Sequence, residues 1–448
     1  MVSTRARRWY IALITVLALY TAYRYTLHRM IESKLDEIRK QGYPATLAEL
    51  DKWYVRPPQG ENAGDVFQQA FSLLTADSSR DLVELLSPGE LTKMIGAPQN
   101  KEETAKAKLP IVGFVKMPPR TEPLPVETVN LAEAYLARKQ EAFVLLHKAA
   151  AMEQCRYPID LTKPEELLHL GDLRATARNL ELEAIIQAER GERDAAVQTL
   201  SDSIRFAHTI SGEPLLISQL VRFACCTMNM NGLERVLNRI TMTDDQLRRL
   251  SIEIEGGEDP RALRLALVGD RSFHADYSLH TIVMRRDFWA VVHRKPPLVE
   301  TLWLRFCDVS GVLELSLIHY LDAVDKYIVA AQTPFPSRLE SFKALDIQTR
   351  SRNQYGKIVV KEARCIALLR TAQAALGMER YRLAHGKLSD SLSDLLPEHL
   401  AAVPIDPFDG QPLRYKRLAK GYVVYSVGED GKDDGGDEKK DITFTVER

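Results

Sequence analysis

The chain has 448 residues, of which 45% are hydrophobic and 27% charged, the make-up of an ordinary folded protein and a length suited to about two or three domains. Sixty basic against sixty-one acidic side chains leave a formal charge of -1, so no global basic field exists to hold nucleic acid, and that class is set aside. The five cysteines, Cys155, Cys225, Cys226, Cys307 and Cys365, are scattered and contain no Cys-x-x-Cys pair, so they indicate neither a disulfide framework nor a zinc site and read as small buried apolar residues.

After Arg5, Arg7 and Arg8, fifteen residues from Trp9 to Tyr23 carry no charge. As a helix they reach about 22 Å; extension to Leu27, with Arg24 carrying its charge to the interface, gives about 28 Å against a hydrocarbon core near 30 Å. Trp9 and Tyr10 at one end and Tyr20, Tyr23 and Tyr25 towards the other suit the two interfaces. The stretch lacks a small-x-small cleavage site, so it reads as an uncleaved membrane anchor rather than a signal peptide. With the short end in the cytoplasm, the body is expected on the periplasmic side of a bacterial inner membrane. From Leu27 to Lys40 the pattern Leu27, Met30, Ile31, Leu35, Ile38 continues the helix out of the bilayer, and Gly42 ends it. Thr46 with Glu49 reads as a capping box, and Asn62 as the cap of a helix through Leu74.

Pro110, Pro118, Pro119, Pro123 and Pro125 mark an internal boundary, expected to be an exposed flank. From Glu127 to Ala331 nearly everything has helical period. The pair 171–190 and 192–210, turned by Gly191, resembles a tetratricopeptide-like helical hairpin, but the helix predicted from Glu213 to Ile240 is too long for a 34-residue repeat. Leu302, Phe306, Val309, Leu313, Leu317, Leu321, Val324 and Ile328 predict one helix of about 30 residues with a continuous apolar stripe, central to the helical domain. Thr333-Pro-Phe-Pro336 returns the chain to the surface, and a further helix is predicted from Glu362 to Arg382.

Beyond that helix come Val403-Pro-Ile-Asp-Pro-Phe-Asp-Gly410, strand-like runs at 413–417 and 422–427, an acidic glycine loop at 428–441 and a last strand, Ile442–Val446. This order resembles the globular end of the major pseudopilins of type II secretion. Ser426-Val-Gly-Glu-Asp430-Gly matches the Ser-Leu-Gly-Ala-Asp-Gly of that family, and Asp441-Ile442 its Asp-Ile; Lys439 stands where the family has a further Asp. The resemblance covers about a fifth of the chain and implies a small α+β module with a structural Ca²⁺ loop, held by Asp430, Asp437, Asp441 and the carbonyl of Val427. Seven carboxylates within fourteen positions make a cation there plausible on charge grounds, and flexible oxygen donors suit Ca²⁺ better than Mg²⁺; a solvated acidic loop is the alternative. An EF-hand register from Asp430 fails, because it puts Lys432 at a ligand position and follows a strand. The N-terminus has no pseudopilin processing signal, so filament assembly does not carry over.

Enzyme chemistry finds no convergent set. Asp270 and His274 share a helix face, but His280 points about 120° away. His319 and Asp322 are neighbours of the kind any charged helix offers. Cys225-Cys226 sits in an apolar helix that disfavours a thiolate. The fold class expected is mainly α: a cytoplasmic end (1–8), a transmembrane anchor (9–27), a juxtamembrane helical region (28–108), a proline-rich linker (109–126), a helical domain (127–331), a connector (332–361) and the α+β module (362–448). The function expected is a non-enzymatic scaffold or partner-binding component of the envelope, meeting the membrane through residues 9–27 and protein partners through its body. The alternatives are an accessory of a secretion or pilus-like system and an envelope hydrolase.

Overall fold

Helix α1 (Thr4–Lys40) is one uninterrupted rod, as its unbroken helical period requires, and Gly42 at φ 82° lets the chain leave it. Every residue from Arg7 to Thr26 is exposed except Arg24, which is partly covered; Leu27, Ile31, Leu35 and Ile38 are buried. The computed structural model describes residues 4–58, 60–75, 118–163, 169–279, 306–307, 309–349 and 355–448.

Two short helices follow, α2 (Leu47–Trp53) and α3 (Ala63–Thr75). Thr46 caps α2 as expected, accepting from the Glu49 amide at 3.2 Å, but the Glu49 carboxylate takes the amide of Ala45, one residue before the cap. Asn62 caps α3 and also ties it to the Arg156 backbone, accepting from its amide at 2.8 Å and donating to its carbonyl at 2.9 Å. That approach explains Gly64, where a Cβ would lie 2.2 Å from the Arg156 carbonyl oxygen.

The central helices are α4 (Val126–Arg138), α5 (Gln140–Ala150), α6 (His169–Glu189), α7 (Arg193–His208), α8 (Leu216–Arg239), α9 (Asp244–Gly256) and α10 (Ala262–Leu279). The hairpin read at Gly191 is present as α6 and α7, with that glycine at φ 75°. Of the proline-rich stretch, 109–117 lie outside the described residues. Residues 118–122 lie along α8, where the buried Arg235 donates to the carbonyls of Pro118 at 3.1 Å and Pro119 at 2.8 Å.

Helices α5, α6 and α7 meet at His147, whose ring lies 2.8 Å from Asp202 and 3.0 Å from Glu183. Burial opposes the imidazolium, but the two carboxylates outweigh it and lift the pKa to about 10. A folded-state value above the ordinary 6.5 means the stabilisation is fully present below that value and is lost as pH rises through about 10. Urea midpoints should therefore separate wild type from His147→Ala at pH 6 and converge by pH 10; an equal gap at both pH values would exclude the charged pairing.

The remaining helices are α11 (Val312–Ala330), α12 (Ser337–Thr349) and α13 (Tyr355–His385), making thirteen among the described residues. The single helix expected across 302–328 is interrupted. Residues 306–307 and 309–310 are helical, but Gly311 adopts φ 78° and α11 starts after it, while 301–305 and 308 lie outside the described residues. A side chain at 311 would press on Leu27 and Tyr23 of α1, so the break is where α11 meets the rod. Below it, Leu317, Leu321, Val324 and Ile328 are buried as the stripe implied; above it, Phe306 and Val309 are each 59% exposed.

A three-stranded antiparallel sheet in the order β1 (Arg414–Arg417), β2 (Tyr422–Ser426), β3 (Ile442–Val446) closes the chain and packs on α13. Register pairs Tyr415 with Val424 and Val424 with Phe444. One apolar cluster runs through the body and the sheet alike: Leu233, Val236 and Leu237 of α8 share it with Leu376 of α13 and with Tyr422, Val424, Phe444 and Val446. At roughly 1.5–3 kcal/mol for each fully buried large side chain, this seam is a main store of stability.

Candidate functional site

The Val403–Gly410 turn folds around Asp406, a fully buried residue that the sequence reading had not singled out. Its carboxylate accepts from the Phe408 amide at 3.0 Å, the Ser426 hydroxyl at 2.9 Å, the Val427 amide at 2.9 Å and Arg414 at 2.9 Å. The signal for it was the Asp-Pro-Phe-Asp-Gly run, since an aspartate before a proline turn can accept from the amide two residues on. Arg414 also pairs with Asp409, so one guanidinium closes the turn against β1.

The acidic loop leaves this lock directly after β2. Its charges are largely met by the chain itself: Lys440 pairs with Asp434 at 2.7 Å, Glu438 pairs with Arg120, and Tyr425 donates to Asp433 at 3.0 Å. Asp430 and Asp437 are exposed at the rim and accept from the amides of Lys432 and Lys439, at 3.1 and 2.9 Å. Val427 is buried at the loop entrance, with its amide on Asp406. Asp441 is buried at the exit. Its Oδ2 accepts from the Gly436 amide at 2.8 Å, and its Oδ1 has no hydrogen-bond partner. Burial raises its pKa, partly offset by the Gly436 amide. Among the described residues no three or more His, Cys, Asp or Glu side chains group so as to hold a metal ion.

The helix-borne acid–base pairs are engaged structurally. Asp270 lies 3.6 Å from His274, on one face as expected, but its carboxylate accepts from the hydroxyls of Tyr320, at 2.8 Å, and Tyr355. His280 lies outside the described residues. Asp322 pairs with Lys34 of α1, and His319 is exposed. The Cys225 thiol is pushed up to about 12 by burial, consistent with an inert core cysteine.

A cavity of about 410 Å³ separates α8, α12, α13 and the Asp406 turn, with Arg222, Phe223, Arg338, Glu362, Leu369 and Ile405 on its walls. Arg338 and Glu362 form a buried ion pair at 2.9 Å, leaving Glu362 Oε2 without a partner. Burial raises the Glu362 pKa, an effect that the Arg338 guanidinium only partly offsets. Sequence spacing carried no sign of this cavity, because its lining is drawn from separate helices and turns.

No protein-family model, curated protein or solved structure matches the chain. The fold therefore defines it by itself: a mainly helical protein with a small three-stranded sheet and one N-terminal helix long and apolar enough to cross a membrane.

Proposed function

We propose that this chain is a membrane-anchored, non-enzymatic scaffold or partner-binding protein of the bacterial envelope, with its body on the periplasmic side of the inner membrane. The observation that carries the reading is α1. Its first half exposes an apolar surface, and its second half is part of the body's core, so one continuous helix joins the exposed apolar stretch to the body. Three threonines along the exposed half, Thr15, Thr21 and Thr26, donate back to the carbonyls of Ile11, Leu17 and Ala22 at 2.8–2.9 Å, which removes the cost of placing hydroxyls in hydrocarbon. The engagement of Asp270 and Asp322 in structural contacts favours a scaffold over the hydrolase alternative. Affinity capture of the full chain from detergent-solubilised membranes tests the function: a stoichiometric envelope protein partner supports it, and recovery of the chain alone from cross-linked membranes counts against it.

A second reading, an accessory of a type II secretion or pilus-like system, is favoured by the C-terminal order of helix, Asp406 turn, antiparallel sheet and acidic loop, which is the order the pseudopilin resemblance implies. That resemblance also carries a Ca²⁺ site. Asp441, Asp430, Asp437 and the Val427 carbonyl would hold the ion, and the unpartnered, buried Asp441 Oδ1 is the oxygen that supports it. Binding to the folded state alone adds roughly 2.7 kcal/mol at a hundredfold excess over Kd. Ca²⁺ should therefore raise the melting temperature of the full-length protein in detergent, Asp441→Asn should abolish the shift, and Glu429→Gln should preserve it. No shift at millimolar Ca²⁺ would leave the loop as a solvated acidic hairpin.

A further inference from the structure

We infer that the cavity between α8, α12, α13 and the Asp406 turn binds a small amphipathic carboxylate, one with an apolar body and an O–H or N–H donor beside its acid group. The inference goes beyond the scaffold reading and does not depend on the membrane span.

Two buried side chains on the cavity wall have hydrogen-bonding capacity that the chain itself leaves unmet. Arg222 of α8, 5% exposed, donates from Nε to the Gln219 side chain at 2.8 Å and from Nη1 to the Gly257 carbonyl at 3.2 Å, and its Nη2 has no hydrogen bond among the described residues. Glu362 of α13, 2% exposed, accepts from Arg338 at Oε1, and its Oε2 has no hydrogen-bond partner. A buried charged group left short of partners is costly, so both atoms favour a ligand that completes them.

Ion pairing on the wall decides the sign of that ligand. Arg338 pairs with Glu362 at 2.9 Å, Arg370 with Glu258 at 2.8 Å and Asp259 with Arg261 at 3.2 Å, whereas Arg222 has no carboxylate partner among the described residues. A monocarboxylate on Nη2 balances Arg222 one for one, which a zwitterion does not, and a neutral donor beside the acid meets Glu362 Oε2. Phe223, Phe335, Leu369 and Ile405 make much of the wall apolar, and the Arg222 and Arg338 guanidiniums lie 5.1 and 4.8 Å from the ring centroids of Phe223 and Phe335. An inorganic anion would leave that surface and Glu362 unserved. The volume of about 410 Å³ suits a metabolite-sized molecule, since such sites span about 300–1,000 Å³. A hydroxy acid and an N-acyl amino acid both carry this chemistry, and so does the C-terminal residue of a peptide, with its carboxylate and its own amide N–H.

Calorimetric titration of the full-length protein in lipid nanodiscs tests this with 2-hydroxy-4-methylpentanoate, N-acetyl-L-leucine, N-acetyl-L-leucinamide and a hexapeptide ending in leucine. At least one of the two small acids should bind at millimolar concentration or below, and the leucinamide, which lacks the carboxylate, should bind tenfold or more weakly than N-acetyl-L-leucine. Ile405→Trp, at a wall position that is 42% exposed, should fill the cavity and cut acid binding at least tenfold while its melting temperature stays near that of wild type. Tighter binding of the hexapeptide than of either acid, lost on C-terminal amidation, supports the site and names a chain terminus as the source. Absence of binding by both acids and the peptide at millimolar concentration overturns the inference. So does equal binding of N-acetyl-L-leucine and its amide, a comparison that needs no variant, and so does full acid binding by a folded Ile405→Trp protein. None of these failures touches the anchor or the scaffold reading, which membrane extraction and affinity capture test separately.

Discussion

Replacing Leu13 and Leu17 together by aspartate releases the full-length protein from membranes, whereas the wild-type chain stays in the pellet after carbonate washing. Both positions are exposed on the free half of α1, so the substitutions disturb no described packing and act on partition alone. An aspartate near the centre of a spanning helix costs about 2.5–3.5 kcal/mol, so two cost about 5–7 kcal/mol, a shift of several powers of ten. The same pair of changes on the buried side, at Leu27 and Ile31, would damage the body itself and could not separate anchoring from folding. Retention of the Leu13→Asp/Leu17→Asp chain in the washed pellet would show that something other than residues 9–27 holds the protein there.

Asp406→Ala should destabilise the protein by about 3–5 kcal/mol, the range for removing one partner from a buried, hydrogen-bonded charge network. The loss is large because the carboxylate organises three segments at once: its own turn through Phe408, the first strand through Arg414 and the end of β2 through Ser426 and Val427. Alanine strands the Ser426 hydroxyl and the Val427 amide in the interior, where each unsatisfied group costs about 1–3 kcal/mol. Asp406→Asn keeps one acceptor oxygen but loses the charge facing Arg414, so it should fall between the two. Urea midpoints and the rate of proteolytic cutting within 428–441 read the effect. Because the sheet shares its apolar cluster with α8 and α13, the loosening should reach the body instead of stopping at the module. A midpoint within about 0.5 kcal/mol of wild type, the scatter of ordinary surface changes, would remove Asp406 from its central place.

Local order was legible wherever a short-range pattern decides structure. The uncharged run to Tyr23, the hairpin at Gly191, the caps at Thr46 and Asn62 and the strands near 414, 422 and 442 follow from periodicity, glycine and capping chemistry, each read within a few residues. The stripe from Leu302 to Ile328 was legible as apolar helix but not as two environments. Nothing in its period distinguishes Val309, exposed beside the free half of α1, from Leu317, buried in the body.

What the sequence by itself determined was therefore the kind of most elements and the position of the uncharged apolar run, because backbone propensity and side-chain period are properties of neighbours along the chain; the stretch 332–361, read as a connector, instead holds α12 and the first turns of α13. Only the tertiary structure decided which charge meets which. Lys34 and Asp322 are 288 residues apart, and Arg120 and Glu438 are 318 apart. Seven crowded carboxylates made an external cation plausible from the sequence, with a solvated acidic loop as the alternative. The fold brings Arg120, Arg414 and Lys440 to several of them and leaves the buried Asp441 Oδ1 without a hydrogen-bond partner. Partner choice over such separations depends on how whole helices pack, and helices of the same period can pack in many ways until side-chain volume and every buried polar group are satisfied together.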